Sequence, residues 1–276
     1  MFFSGQHLFG QKAELLIISD IDDTIRPVNV LNLPDSLPNL LKNQAFLGMN
    51  DLYKTLLCQQ SQNESEFKNC LSSPGSTSNE IIFSYVTGFP SPHLARKYLK
   101  ELNFPLTGAL YSKPIWKDTY QFKLQAHLET IKIFPAKKIL LIGDNGQKDI
   151  QVFAEVKKQV EASENPPLVF SYVHQIYDQE DGGKQLVHEQ SPYLTFFDLS
   201  SQLVRKNLLT QKAFLDLVTK YRHFNFDHND PLFPLLKPLW VHCSDFYFWY
   251  RSEFQSLGLK YEKDEKAFEQ FLEKSC

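Results

Sequence analysis

Three short apolar runs punctuate the chain: "ELLIISD" at 14–20, "IIFSYVT" at 81–87 and "KILLIGD" at 138–144. Each is rich in β-branched residues. None shows the apolar–polar alternation of a strand with one wet face, so they predict strands of a parallel sheet covered on both sides. "PLVFSYVH" at 167–174 has a similar pattern. Helical spacing fills the gaps between them. Leu52, Tyr53, Leu56 and Leu57 fit one helix face, and Ile150, Phe153 and Ala154 fit another. "SPHLARKYLKEL" offers Ser91 as N-cap, Pro92 in the first turn, and Leu94, Tyr98 and Leu102 four apart. Leu124, Leu128 and Ile131 form a further stripe. Strands alternating with helices predict right-handed βαβ units. The expected fold is therefore α/β, a Rossmann-like parallel sheet with helices on both faces.

The segment 59–80 is polar and rich in Ser and Asn, and predicts a long surface loop. The stretch between Asp22 and Thr87 is too turn-rich for a large cap, so a small cap or none is expected. Near residue 180 "DQEDGGKQ" breaks the α/β pattern. Beyond it Phe214, Leu217, Val218 and Tyr221 share a helix face. This predicts an α/β domain over 1–180 and a helical C-terminal extension over 181–276, packed on or near the entrance to the site. No internal repeat is visible.

Composition narrows the function classes. The 276 residues suffice for one sizeable core with an appendage. A net charge of −3 provides no basic field, which argues against a nucleic-acid partner. No run of about 18 apolar residues exists, so no transmembrane segment is expected and any membrane contact is peripheral. The N-terminal "MFFSGQHLFGQK" lacks the basic and apolar regions of a signal peptide. Cys58, Cys70, Cys243 and Cys276 match no zinc or C-x-x-C spacing, and are read as reduced thiols of a cytoplasmic protein.

The chemistry collects where the strands end. In an open parallel sheet, ligands bind beyond the carboxyl ends of the strands. The first run ends in Asp20, Asp22 and Thr24, the second in Thr87 and Gly88, and the third in Gly143 and Asp144 with Asp149 five residues on. A carboxylate cluster in a dry crevice needs a cation, and ligands that are all oxygen select Mg²⁺ over Zn²⁺. An EF-hand reading of "DIDDTI" fails, because the sixth loop position is not Gly and the twelfth is not Glu. Acids at i and i+2 suit a nucleophile, Asp20, and a general acid/base, Asp22. Thr87 would bond a phosphate oxygen, Gly88 would admit the backbone, and Lys123 would offset charge.

These motifs resemble the haloacid dehalogenase-like superfamily of phosphatases. The strand followed by Asp20-Ile21-Asp22-Asp23-Thr24 is its first motif, and Thr87 ends the second. Lys123 is the third, and "GDNGQKD" the fourth. Residues 12–175 look closer still to the catalytic domain of actin-patch-associated phosphatidate phosphatases, in which a lysine stands about eleven residues before F-P. Lys123 stands eleven residues before Phe134-Pro135. The resemblance implies that Asp20 is nucleophile and magnesium ligand. Asp22 would act as acid/base and hold the metal through its backbone carbonyl, and Asp144 would complete the protein ligands. Thr24, Asn145 and Asp149 would support them from behind. The chain departs from the family in reading Thr87-Gly88-Phe89-Pro90-Ser91-Pro92 where S-N-S-P-W is usual, and Gly143-Asp144-Asn145-Gly146 where G-D-S-G is usual.

The first departure lies beside the phosphate pocket and leaves the substrate's other half open. The reading is a Mg²⁺-dependent phosphomonoester hydrolase working through an aspartyl phosphate on Asp20, and the resemblance implies a phosphatidate-like lipid as one substrate class. A phosphotyrosine protein phosphatase and a non-catalytic binding module are the alternatives. Asp23 is read as structural. "HFNFDHND", with His223, Asp227, His228 and Asp230, reads as a polar loop in preference to a metal site. "DFYFWYRSEF" at 245–254 reads as packed aromatics, and "YEKDEKAFEQFLEK" as a solvated amphipathic helix. The glutamate-rich tail also resembles bacterial effector secretion signals, which makes translocation into a host cell the alternative to a cytoplasmic location.

Overall fold

The computed structural model describes residues 12–221 except 33, 35–37, 40–41, 62, 73–79 and 188. The elements in chain order are β1 (Ala13–Ser19), α1 (Met49–Cys58), α2 (Glu64–Ser72), β2 (Ile81–Thr87), α3 (Pro92–Glu101) and β3 (Leu110–Ser112). Then follow α4 (Thr119–Ile133), β4 (Ala136–Asp144), α5 (Asp149–Glu161), β5 (Leu168–His174), β6 (Gln190–Tyr193), α6 (Phe196–Arg205) and α7 (Gln211–Tyr221). All six strands are parallel, in the order β3-β2-β1-β4-β5-β6. The expected Rossmann-like α/β architecture with a helical C-terminal region is present. No helix of the described residues is long and apolar enough to cross a membrane.

The absence of alternation in the apolar runs has a simple cause. Successive residues of β1 enter two different cores. Leu15 and Ile17 pack with α1, α3, α6 and α7, whereas Leu16 and Ile18 pack with α4 and α5. The predicted helices form where the spacing placed them. Ser91 caps α3, its hydroxyl accepting from the Leu94 amide, and Pro92 sits in the first turn. In α4 the fully buried face is not the Leu124, Leu128 and Ile131 stripe. Those residues are half-buried, and Phe122, Lys123, Ala126, His127 and Thr130 face inward.

Three features differ from the sequence reading. Residues 64–72 form α2 inside the segment expected to be a loop. Most of its residues face solvent, so its helical signal is confined to Phe67, Cys70 and Leu71. Cys70 is buried there and forms a disulfide with Cys58 of α1, so these two are not the reduced thiols expected. Short strands β3 and β6 also extend the sheet. Both lie at its edges, and Pro192 in β6 is tolerated because an edge strand need not donate every amide.

Beyond residue 180, β6 pairs with β5, and Leu199, Leu203, Phe214 and Leu217 join the core that covers α1. Lys220 Nζ lies 2.6 Å from Asp51 of α1. The segments 223–230, 245–254 and the charged C-terminal stretch lie outside the described residues, as do Cys243, Cys276 and the N-terminal segment.

Candidate active site

The strand order reverses at β1 and β4, which places a crevice at their carboxyl ends. Asp20 follows β1 directly, and its amide donates to the Ile142 carbonyl at 2.8 Å, continuing the ladder to β4. Its Oδ2 lies 3.1 Å from Lys123 Nζ, while its buried Oδ1 has no partner. Asp144 ends β4. Its Oδ1 accepts from the amides of Gly146 at 2.6 Å and Gln147 at 3.3 Å, while its buried Oδ2 has no partner. Asp149 opens α5, with Oδ1 2.5 Å from Lys123 Nζ and Oδ2 accepting from the Asp144 amide at 3.3 Å.

One oxygen from each of Asp20, Asp144 and Asp149 lies within 4.8 Å of the others, and all three residues are buried. Gly143 makes this packing feasible, since a Cβ there would sit 2.5 Å from Asp149 Oδ2. Burial pushes the Asp20 carboxyl well above its ordinary value. Lys123 opposes that shift, and Asp149 and Asp22 add to it. Asp144 is raised by burial first and then by Asp149. Burial works against the charge on Lys123, but the Asp149, Asp20 and Asp144 carboxylates outweigh it and hold the ammonium above its ordinary value.

Three carboxylates therefore face one ammonium. Two of their oxygens are buried without a partner, which is costly unless a cation completes the set. The donors are all hard oxygens, which suits a hard divalent cation.

Asp22 turns elsewhere. Its Oδ1 pairs with Arg26, which approaches through Nε at 3.0 Å and through Nη2, and its Oδ2 accepts from the Thr87 hydroxyl at 3.0 Å. The Arg26 guanidinium lies 5.4 Å from the Phe89 ring centroid and 4.9 Å from that of Tyr98. The third carboxylate of the cluster is thus Asp149, not the side chain of Asp22. The sequence reading missed Arg26, because its pairing depends on a local bridge that folds Arg26 back beside Asp22.

Asp23 occupies a left-handed conformation with φ 58°. Its carboxylate accepts from the amides of Val28, Asn29 and Val30 at 2.7–2.8 Å and from the Tyr177 hydroxyl at 2.5 Å. These bonds fold the loop after β1 and tie it to the loop after β5. Asn145 reinforces the second loop, donating to the Tyr177 carbonyl at 2.6 Å and accepting from the Ile176 and Tyr177 amides at 3.1 Å. Thr24 Oγ1 is buried without a partner. Gly88 is half-buried, and a Cβ there would lie 3.2 Å from Gln147 Oε1.

The family model described as "Phosphatidate phosphatase APP1, catalytic domain" matches residues 15–163, more than half of the chain. That range holds every site residue named above except those of the loop after β5. An uncharacterized protein of the fission yeast Schizosaccharomyces pombe is 27% identical over 145 residues, which cover 51% of this chain and 22% of that protein. The chain thus spans about a fifth of the length of that relative. No solved structure matches.

Proposed function

This chain belongs to the phosphatidate phosphatase APP1 catalytic-domain family, and from that premise we propose that it is a magnesium-dependent phosphatase of the haloacid dehalogenase-like kind. Its reaction would be hydrolysis of a phosphomonoester through an aspartyl phosphate on Asp20, and its substrate a phosphatidate-type membrane lipid. The observation that carries this reading is the pair of buried, unpartnered carboxylate oxygens on Asp20 and Asp144, flanked by Lys123.

Bound magnesium, held by Asp20, Asp144 and the Asp22 backbone carbonyl, would neutralise the carboxylates and the incoming phosphate so that attack by an anion becomes feasible. Asp20 forms the new bond to phosphorus, and the ester oxygen leaves. Asp22 gives that oxygen its proton, then takes one from the water that attacks the aspartyl phosphate. Inorganic phosphate departs and Asp20 is regenerated. Thr87 and Lys123 hold the phosphate oxygens, and Gly88 lets the backbone approach them. Arg26 keeps the Asp22 carboxylate aimed at the Thr87 side of the crevice.

A generic aryl phosphate tests the reaction on the purified full chain. Chelation should stop phosphate release and added Mg²⁺ should restore it. Release that is indifferent to chelator would sink the metal-dependent reading. Phosphatidate vesicles and a phosphotyrosine peptide, compared side by side, test the substrate. Faster release from the peptide would replace the lipid by a phosphoprotein.

A further inference from the structure

The large apolar side chains exposed among the described residues sort by sheet edge. Ile133 and Val187 precede β4 and β6, Leu168 opens β5, and the three mark the edge away from the site. Leu31, Leu94, Ile115 and Trp116 follow β1, β2 and β3, on the carboxyl edge where the site lies. The last two are the most exposed of all, at 78% for Ile115 and 85% for Trp116. They form the tip of the loop between β3 and α4. That loop is anchored to the site itself, because the Lys113 amide donates to the Thr87 carbonyl at 3.1 Å.

A tryptophan left in water beside an isoleucine is costly unless something covers both. The surroundings indicate what. Lys113 and Lys117 flank the apolar pair. Lys113 Nζ donates to the Lys117 carbonyl at 3.0 Å, which keeps the loop tight and holds one positive charge at its base. Lys117 is exposed. Asp118, the adjacent acid, is engaged as the N-cap of α4, accepting from the Gln121 amide at 3.0 Å. Exposed His93 and Arg96 lie on neighbouring α3, as does Lys97, which pairs with Glu101 at 3.7 Å. The acids of the same edge, Asp178, Glu180 and Asp181, follow β5, four strand spacings or about 19 Å from β3. The β3 flank is thus apolar with a basic excess, and the β5 flank, where exposed Lys184 also lies, keeps an acidic excess.

We propose that the loop from Lys113 to Asp118 is a membrane anchor that seats the β2–β3 flank of the site on an anionic lipid surface. Ile115 and Trp116 enter the boundary between headgroups and acyl chains, and the two lysines stay at the level of the lipid phosphates. A tryptophan tip between lysines matches this layer, which is apolar on one side and negatively charged on the other. Seated in this way, the Thr87 end of the site faces the headgroups. The inference names the docking surface for the lipid reading of the site and rests on that reading for its purpose.

Flotation of the full chain with vesicles tests it apart from the chemistry. Phosphatidylcholine vesicles with a phosphatidylserine fraction carry negative charge but no phosphomonoester, so binding to them needs no turnover. Wild type should float with these vesicles and should bind pure phosphatidylcholine less. The double substitution Ile115→Ser with Trp116→Ser should weaken binding by roughly tenfold or more. Lys117→Gln should weaken it by about fivefold and only on charged vesicles. Both variants should hydrolyse a soluble aryl phosphate at the wild-type rate.

Wild type that ignores charged vesicles, or a double variant that floats like wild type, would overturn the anchor even if aryl phosphate is still hydrolysed. Phosphotyrosine-peptide hydrolysis lost in the double variant, with no vesicle binding by wild type, would assign the loop to a peptide and overturn it as well. Floating protein without aryl phosphatase activity would leave the anchor standing and remove the proposed reaction instead.

Discussion

Asp20→Asn is expected to lower phosphate release from an aryl phosphate by ten-thousandfold or more, an order of magnitude typical of removing a nucleophile. The substitution keeps shape and removes charge. Stability should not fall with it, because the carboxyl at position 20 is buried and disfavoured in its ionised form. Lys123 keeps its bond to Asp149 at 2.5 Å. The two readouts must therefore separate: a lost rate beside an unchanged or higher unfolding midpoint. If the variant retained the wild-type rate, Asp20 would not be the group that attacks. If it unfolded, the account of its burial would be wrong.

The second large effect is on stability. Lys123→Met keeps the length of an apolar stem but strips the only ammonium facing Asp20, Asp144 and Asp149 among the described residues. Removing one partner of a buried ion pair leaves uncompensated charge, which typically costs about 3–5 kcal/mol. Urea denaturation in the presence of chelator should show that loss. Part of it should return in the double variant Lys123→Met with Asp149→Asn, since the second change removes a charge that the first orphans. A single variant as stable as wild type would mean that the ammonium does not hold the cluster together.

The sheet was legible wherever it is buried on both faces. β1, β2, β4 and β5 carry unbroken apolar runs because neighbouring residues feed two cores. β3 and β6 gave no such signal, being three and four residues long and lying at the edges. Helix α2 hid in a polar segment because few of its side chains turn inward, and the Cys58–Cys70 pairing depends on that helix.

The site shows the same division. Asp20, Thr87 and Asp144 could be read because parallel strands deliver their last residues to one edge. Lys123 could be read from its place at the start of the helix before β4, with its distance from Phe134-Pro135 in support. Its complete burial contradicts the usual habit of a helix lysine, and only the three carboxylates explain it. Arg26 carried no signal, since its role depends on a tight fold of the chain beside Asp22 and on two rings from distant segments. Asp23 reads as structural in the sequence, although it neighbours two acids of the site. Its positive φ and four hydrogen bonds make it the anchor of a loop.

The proposed aspartyl phosphate is open to a direct trapping test. In Asp22→Asn, an aryl leaving group needs little help to depart, but the water that should clear Asp20 lacks its base, so the intermediate should accumulate. Borohydride reduces an acyl phosphate to an alcohol and would convert Asp20 to homoserine. Peptide mapping of Asp22→Asn, after exposure to aryl phosphate and Mg²⁺ followed by borohydride, should find homoserine at residue 20. An intact Asp20 in protein that has released its aryl alcohol, or homoserine at another aspartate, would contradict the account.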